Sequence, residues 1–386
     1  MIVTDPKRLY QKLDQAHQML YNVKTPEERL ALENYISILY QAIICLGDGD
    51  VFVDKRKCFG NVKKHQQFIR RMNAYSDRLI VNFLNNKDFH RNYLRDIIPD
   101  EEEEIEKRSL PFRDTEEEKS FSKEDFLDIM HGFMKSIKQD YLFQDMLKNG
   151  NIYSSIVGGS KDSDLGFTTY NPLNNDLDVF VRGLDYNLSS MMTLAHEMGH
   201  VIDLKGFNGD ITEYNKYFYL SFCGEVISRT MERLLIRYLI KNNIEIEEVK
   251  DVLLSFELNN IDFQVQAYIL SLLDNDIISK YAYPDMKDEE IEEKIRKHFL
   301  EDATITEYIK SVKENDLSNV YNYTYGDIIS MFLADIIEED GFGNPIIEKF
   351  LKERIEPFNE KIIKDNEFDS KSYVKKYKKE MELFDK

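Results

Sequence analysis

Apolar residues recur at helical spacing along most of this chain. Leu9, Leu13, Ala16 and Leu20 fall three to four positions apart, and Leu30 to Leu46 repeats the pattern, so residues 8–46 predict helices. Thr25-Pro26-Glu27-Glu28 marks a helix start, with threonine as cap and proline in the first helical position. The same period predicts helices over Lys64–Phe89 and from Ser122-Lys123-Glu124-Asp125 to about Leu147. Further on it predicts Arg233–Ile240, Ile246–Phe256, Phe263–Leu273, Glu289–Phe299 and Ile305–Lys313. A tyrosine-rich turn at Tyr321–Tyr325 leads into a helix over Tyr325–Ile337, and Asn344–Glu353 follows, with an amphipathic tail after Ser370.

The period breaks between residues 150 and 192. Gly158-Gly159-Ser160 and Asn171-Pro172-Leu173-Asn174-Asn175 are turn chemistry. Ile152–Val157 and Leu177–Arg182 read as short strands, so the chain is mainly α with a small β element near its middle. Gly47-Asp48-Gly49-Asp50 ends one helical run, and the acidic runs Asp100–Glu106 and Glu116–Glu118 read as solvated linker or helix face. No internal repeat is present. At 386 residues the chain can bury a substantial core as one large domain or two smaller ones.

Charge and cysteine usage narrow the function classes. A formal net charge of −20 argues against nucleic acid as a partner, because phosphate contacts need a basic surface. No apolar run approaches the roughly 20 residues of a membrane span, and Met1-Ile2-Val3-Thr4-Asp5-Pro6 lacks an apolar signal core. Cys45, Cys58 and Cys223 are too few and too scattered for a disulfide framework. A cytoplasmic protein is expected, with its oligomeric state left open.

The candidate chemistry follows the β element. Met191, Met192, Leu194, Ala195, Met198, Val201 and Ile202 predict a helix buried nearly all round, yet it carries His196-Glu197-Met198-Gly199-His200. Residues four apart share a helix face, so His196 and His200 can point two imidazoles at one point, an arrangement that suits Zn²⁺. Glu197, close by on a different face, can take a proton from an activated water. A catalytic zinc site normally needs a third protein ligand. The segment Phe222-Cys223-Gly224-Glu225-Val226-Ile227-Ser228-Arg229-Thr230-Met231-Glu232 reads as a second helix whose Glu225 could be that ligand, with Ser228 and Glu232 orienting the ligands. The competing reading of that segment is a surface helix with scattered acids. His17, His65, His90 and His131 have no partner at ligand spacing and read as ordinary histidines.

These blocks together resemble the thimet oligopeptidase and oligoendopeptidase F family of zinc peptidases, which places a glutamate in a Phe-x-x-Glu-x-x-Ser context at this distance after the second histidine. The chain has Asp203 and Gly206 where a metzincin needs a glycine and a histidine. Tyr321-Asn322-Tyr323-Thr324-Tyr325-Gly326 resembles the family's late tyrosine segment. The resemblance covers roughly residues 150–350. It implies a zincin-like helical metallopeptidase with a cleft between two helical halves: a shortened lid-like region at 1–149 and a catalytic region at 150–386. It further implies one Zn²⁺ per chain held by His196, His200 and Glu225, Glu197 as general base, and one or more of Tyr321, Tyr323 and Tyr325 stabilising the oxyanion. Peptides are the implied substrates, paired in extended form with a strand for which Asp178, Val179, Phe180, Val181 and Arg182 are the candidates by position; a purely structural hairpin is the alternative there. One departure stands out. The family carries a histidine shortly before these tyrosines, where this chain has Glu314-Asn315-Asp316-Leu317. That departure keeps a second reading open, a zinc-holding peptide-binding protein with impaired catalysis.

Overall fold

A computed structural model describes residues 2–4, 7–46, 78, 80–99, 101, 120–154, 166–181, 184–220, 222–272, 317–354 and 360–385. The expectations for Gly47–Asp50, Gly158–Ser160, Glu289–Phe299, Ile305–Lys313, residues 314–316 and Arg182 lie outside the described residues, as do most of both acidic runs.

The chain opens with α1 (Lys7–Asn22) and α2 (Pro26–Leu46). Thr25 Oγ1 accepts from the Glu28 amide at 3.1 Å while Glu28 Oε2 accepts from the Thr25 amide at 3.1 Å, a reciprocal cap that satisfies two backbone donors at the helix start. Helix α3 spans 80–99. The run expected to be one helix from Ser122 is two, α4 (Lys123–Ser136) and α5 (Asp140–Asn149). Lys138 takes a positive φ of 61° between them, which no continuous helix accommodates.

A three-stranded sheet follows: β1 (Ile152–Ser154), β2 (Gly166–Asn171) and β3 (Asp176–Val181), in the order β1-β3-β2. β3 runs parallel to β1 and antiparallel to β2, with Gly166 opposite Val181 and Asn171 opposite Asp176. Asn175, at φ 57°, closes the hairpin between β2 and β3. Alternation then sorts the side chains. Tyr153, Phe180 and Phe167 stack under α1 and α2, while Ile152, Val179 and Val181 join the main core, on which α6 (Leu188–Lys205) lies.

After α6 come α7 (Ile211–Leu220), α8 (Val226–Lys241), α9 (Ile246–Leu272), α10 (Leu317–Asp340), α11 (Pro345–Glu353), α12 (Glu360–Asp365) and α13 (Ser370–Met381). Two expectations change here. The helices predicted at Ile246–Phe256 and Phe263–Leu273 are one, α9. The polar stretch between them, which reads as a break, instead turns Glu257 and Asn260 inward, 0% and 2% exposed, where Arg233 and Arg229 on α8 bind them. The tyrosine segment is not a turn but part of α10. Glu101, expected in a solvated run, is buried against Gln264. Among the described residues no helix is long and apolar enough to cross a membrane.

Candidate metal centre

Asn187 caps α6 by accepting from the Ser190 amide, and the helix then carries His196 and His200 one turn apart. Helix α8 crosses α6 at Gly199, where a β-carbon would lie 2.5 Å from the Ser228 Cα. Only a glycine lets the two backbones approach so closely. Glu225 is the residue just before the first turn of α8, so this crossing delivers its carboxylate to the two imidazoles. A second close approach, α10 at Gly326, places the chain 2.9 Å from the Glu225 Cβ as measured to a β-carbon there. The segment before Glu225 is pinned on both sides: the Gly224 amide donates to Asn322 Oδ1 at 3.3 Å, and the Gly224 carbonyl accepts from Tyr217 at 3.0 Å.

The three expected ligand atoms converge. His196 Nε2 and His200 Nε2 are 3.2 Å apart, and Glu225 Oε2 lies 3.3 and 3.4 Å from them. Among the described residues these three form the group able to hold a metal ion. The donor set fits that role. Four-coordinate zinc takes nitrogen and oxygen ligands at about 2.0–2.2 Å, and tetrahedral angles then separate neighbouring ligand atoms by about 3.3–3.6 Å, close to the 3.2–3.4 Å seen here. Asp203, three residues after His200 on the same helix, is engaged elsewhere. It accepts from Tyr217, and its carboxylate meets Arg354 Nε at 2.5 Å.

The surrounding groups hold this triangle. Ser228 Oγ donates to Glu225 Oε2 at 2.9 Å. Glu232 Oε1 lies 3.5 Å from His196 Nδ1, the nitrogen left for orientation, and Glu232 Oε2 accepts from Arg229 at 2.7 Å. Burial alone would lower both histidines, but Glu232 and Glu225 outweigh it at His196, and Glu225 does so at His200, so both imidazoles are raised above the usual histidine range. Burial would likewise raise Glu225, yet the two imidazoles hold it well below the ordinary carboxylate range. Glu197 is buried and raised, burial prevailing over the pull of His196 and His200.

The tyrosines separate by helix geometry. Tyr321 and Tyr325 are four apart and share the inner face of α10, where both are fully buried. Tyr321 donates to the Ala267 carbonyl at 3.1 Å, and the Tyr325 hydroxyl is hydrogen-bonded to His90 Nδ1. Both hydroxyls are thus committed to partners other than the metal ligands. Tyr323 lies on another face, stacked on Phe263 with centroids 4.7 Å apart. Glu225 first, then burial, drives its phenol well above the ordinary range, with Glu232 and Glu197 adding to the rise, so its hydroxyl stays protonated as a donor beside these acids. His90, read from sequence as ordinary, is buried from α3 against the tyrosine helix and pushed down to about 3 by burial.

The strand expectation also changes. β3 has a neighbour on each side, so Asp178, Val179, Phe180 and Val181 cannot add a further strand. Asp178 instead faces Lys12, whose Nζ lies 2.6 Å from its carboxylate. The edge strand is β2, and among the described residues no backbone hydrogen bond is made to its outer side. Thr168 on β2 donates to Glu197 Oε2 at 2.7 Å. Sequence reading missed Thr168, Asn322 and the Arg229–Asn260 bond, all contacts between residues far apart along the chain.

No protein-family profile matches the sequence, and no curated protein matches it. Among solved structures, PZ peptidase A with an inhibitor superposes with a TM-score of 0.53 at 11% identity, over 98% of this chain and 80% of that one. An oligoendopeptidase F candidate from Bacillus anthracis str. Ames gives 0.41 at 13% identity, over 96% of this chain and 65% of that one. The overall architecture is thus the helical zincin-like fold of PZ peptidase A, the fold the motif resemblance led one to expect.

Proposed function

We propose that this protein is a zinc-dependent endopeptidase that hydrolyses internal bonds of short peptides. One observation carries the reading: His196, His200 and Glu225 converge at tetrahedral ligand spacing with the buried Glu197 beside them, on the fold of a peptidase. When bound there, a zinc ion supplies a Lewis acid that acidifies water and polarises a peptide carbonyl. Glu197 takes the water proton and passes it to the leaving amine. Tyr323 donates to the developing oxyanion. The outer edge of β2 pairs with an extended peptide, giving affinity through the main chain without reading sequence. Residues 1–149 act as a lid-like half over the catalytic region 150–386. A cytoplasmic setting, consistent with three scattered cysteines, belongs to the same reading.

The rival, a zinc-holding peptide-binding protein, draws support from the engagement of Tyr321 and Tyr325 elsewhere, which leaves Tyr323 as the one phenol of the three at the site. A graded-length peptide mixture incubated with zinc-loaded protein, beside Glu197→Gln, separates the two by mass spectrometry. Internal cleavage by the parent alone supports the peptidase. One bound zinc per chain with no cleavage supports the rival.

A further inference from the structure

We propose that Thr168 is a positioning residue for Glu197, one that commits one carboxylate oxygen to the strand and leaves the other for proton transfer. The role in catalysis rests on the peptidase reading above; the contact itself is geometric. Thr168 Oγ1 lies 2.7 Å from Glu197 Oε2 and 3.1 Å from the Glu197 carbonyl. A hydroxyl has one proton, and the nearer, charged acceptor takes it. Glu197 is 3% exposed, so bulk water does not replace that donor.

The second half of the argument is two residues away on the same strand. Gly166 and Thr168 point to one face of β2, while Phe167 between them stacks on Phe180 on the other. A β-carbon at Gly166 would lie 2.8 Å from Glu197 Oε1. The strand thus presents the base with a donor and a gap: Thr168 holds Oε2, and the missing side chain at Gly166 admits Oε1. Turning the carboxylate out of this plane would lengthen the short bond to Thr168, so the pair fixes its plane. Oε1 takes the proton from water and later releases it to the amine nitrogen, while Thr168 keeps its own proton throughout. Among the described residues the same strand has no backbone partner on its outer edge, so substrate register and base orientation are set by one element.

The test compares zinc-loaded parent, Thr168→Val and Thr168→Ser on one internally quenched peptide. Valine keeps the shape and removes the donor; it is expected to lower kcat by about 10- to 100-fold, with KM and zinc stoichiometry unchanged. Serine restores the donor and most of kcat. Gly166→Ala, which crowds Oε1 and leaves the donor in place, is expected to lower kcat in the same way. A readout independent of turnover is a double-mutant cycle in urea unfolding between Thr168→Val and Glu197→Ala: direct contact makes the combined midpoint shift smaller than the sum. Additive shifts, a valine variant as active as the parent, or a serine variant as slow as the valine one would each overturn the proposal while leaving the peptidase reading intact. A parent that cleaves no peptide would remove that reading, and the catalytic role assigned to Thr168 with it.

Discussion

Helix α8, with Glu225 at its N-terminal edge, carries two neighbouring polar clusters, one half-buried and one fully buried, and they are balanced in opposite ways. The first, at Glu225, Ser228 and Glu232, brings a carboxylate oxygen and two imidazole nitrogens within 3.2–3.4 Å of each other. The second surrounds Arg233, which is fully buried. Its guanidinium donates to Glu257 at 2.9 Å, to Glu380 at 2.6 Å and to Asp327, tying α8 to α9, α13 and α10. The Arg233 cluster contains its own cation, so it is complete as a folded unit. The ligand cluster brings together lone pairs that a cation from solution would share. A buried polar group on one helix therefore serves the fold or the chemistry according to whether the chain itself supplies its partner.

Substitutions in the two clusters should therefore separate activity from stability. The largest effect expected is on turnover: Glu197→Gln should lower kcat by about 10²- to 10⁴-fold with bound zinc unchanged, read by peptide cleavage and elemental analysis together. Arg233→Met should instead cost about 3–5 kcal/mol of stability, because it strands buried carboxylates; urea unfolding measures this, and a small loss would show that the acids are already protonated. Glu225→Ala should weaken zinc binding by at least about 100-fold, beyond the usual loss for an orienting group, while Arg233→Met leaves it nearly unchanged; a chelator competition checks both. Tyr323→Phe should lower kcat by about 10- to 100-fold, below the usual loss of a full oxyanion donor, and Tyr321→Phe should leave it unchanged. Equal losses for the two tyrosines would overturn their separation.

The smallest expected effect is a pH slope at the Arg233 cluster. Burial, with Asp327 and Glu380 nearby, outweighs Arg233 and lifts Glu257 above its ordinary value of 4.5. From that value up to its raised folded value the native state binds more protons than the unfolded one, so stability falls as pH rises. Glu257→Gln should flatten this part of the urea midpoint profile. An unchanged slope would place the bound proton elsewhere in the cluster.

Much of the ligand set was legible because it is local. His196 and His200 need only helical spacing, and the apolar flanks Leu194, Ala195, Met198 and Val201 place that helix in the core. The Gly199 in the motif has a physical reason visible only in three dimensions, the contact with Ser228 on α8. The division of the tyrosines was equally hidden. Read as a turn, Tyr321, Tyr323 and Tyr325 were equivalent; as part of α10, they are split by the 100° step between residues. The strand next to Glu197 was misplaced for a related reason. Leu177–Val181 has the stronger apolar run because it is central, whereas the edge strand Gly166–Asn171 has one face toward Glu197 and little sequence signal.

The sequence by itself determined the mainly helical architecture, the small β element before the histidine helix and the identity of the candidate ligands, since periodicity, turn chemistry and i, i+4 spacing act over a few residues. Tertiary structure decided what depends on distant partners: that Glu225 reaches the histidines through the Gly199 crossing, that Tyr323 alone of the three tyrosines faces the acids, and that β2 rather than β3 meets the base. Those outcomes rest on contacts between residues from 25 to about a hundred positions apart, which no local pattern encodes.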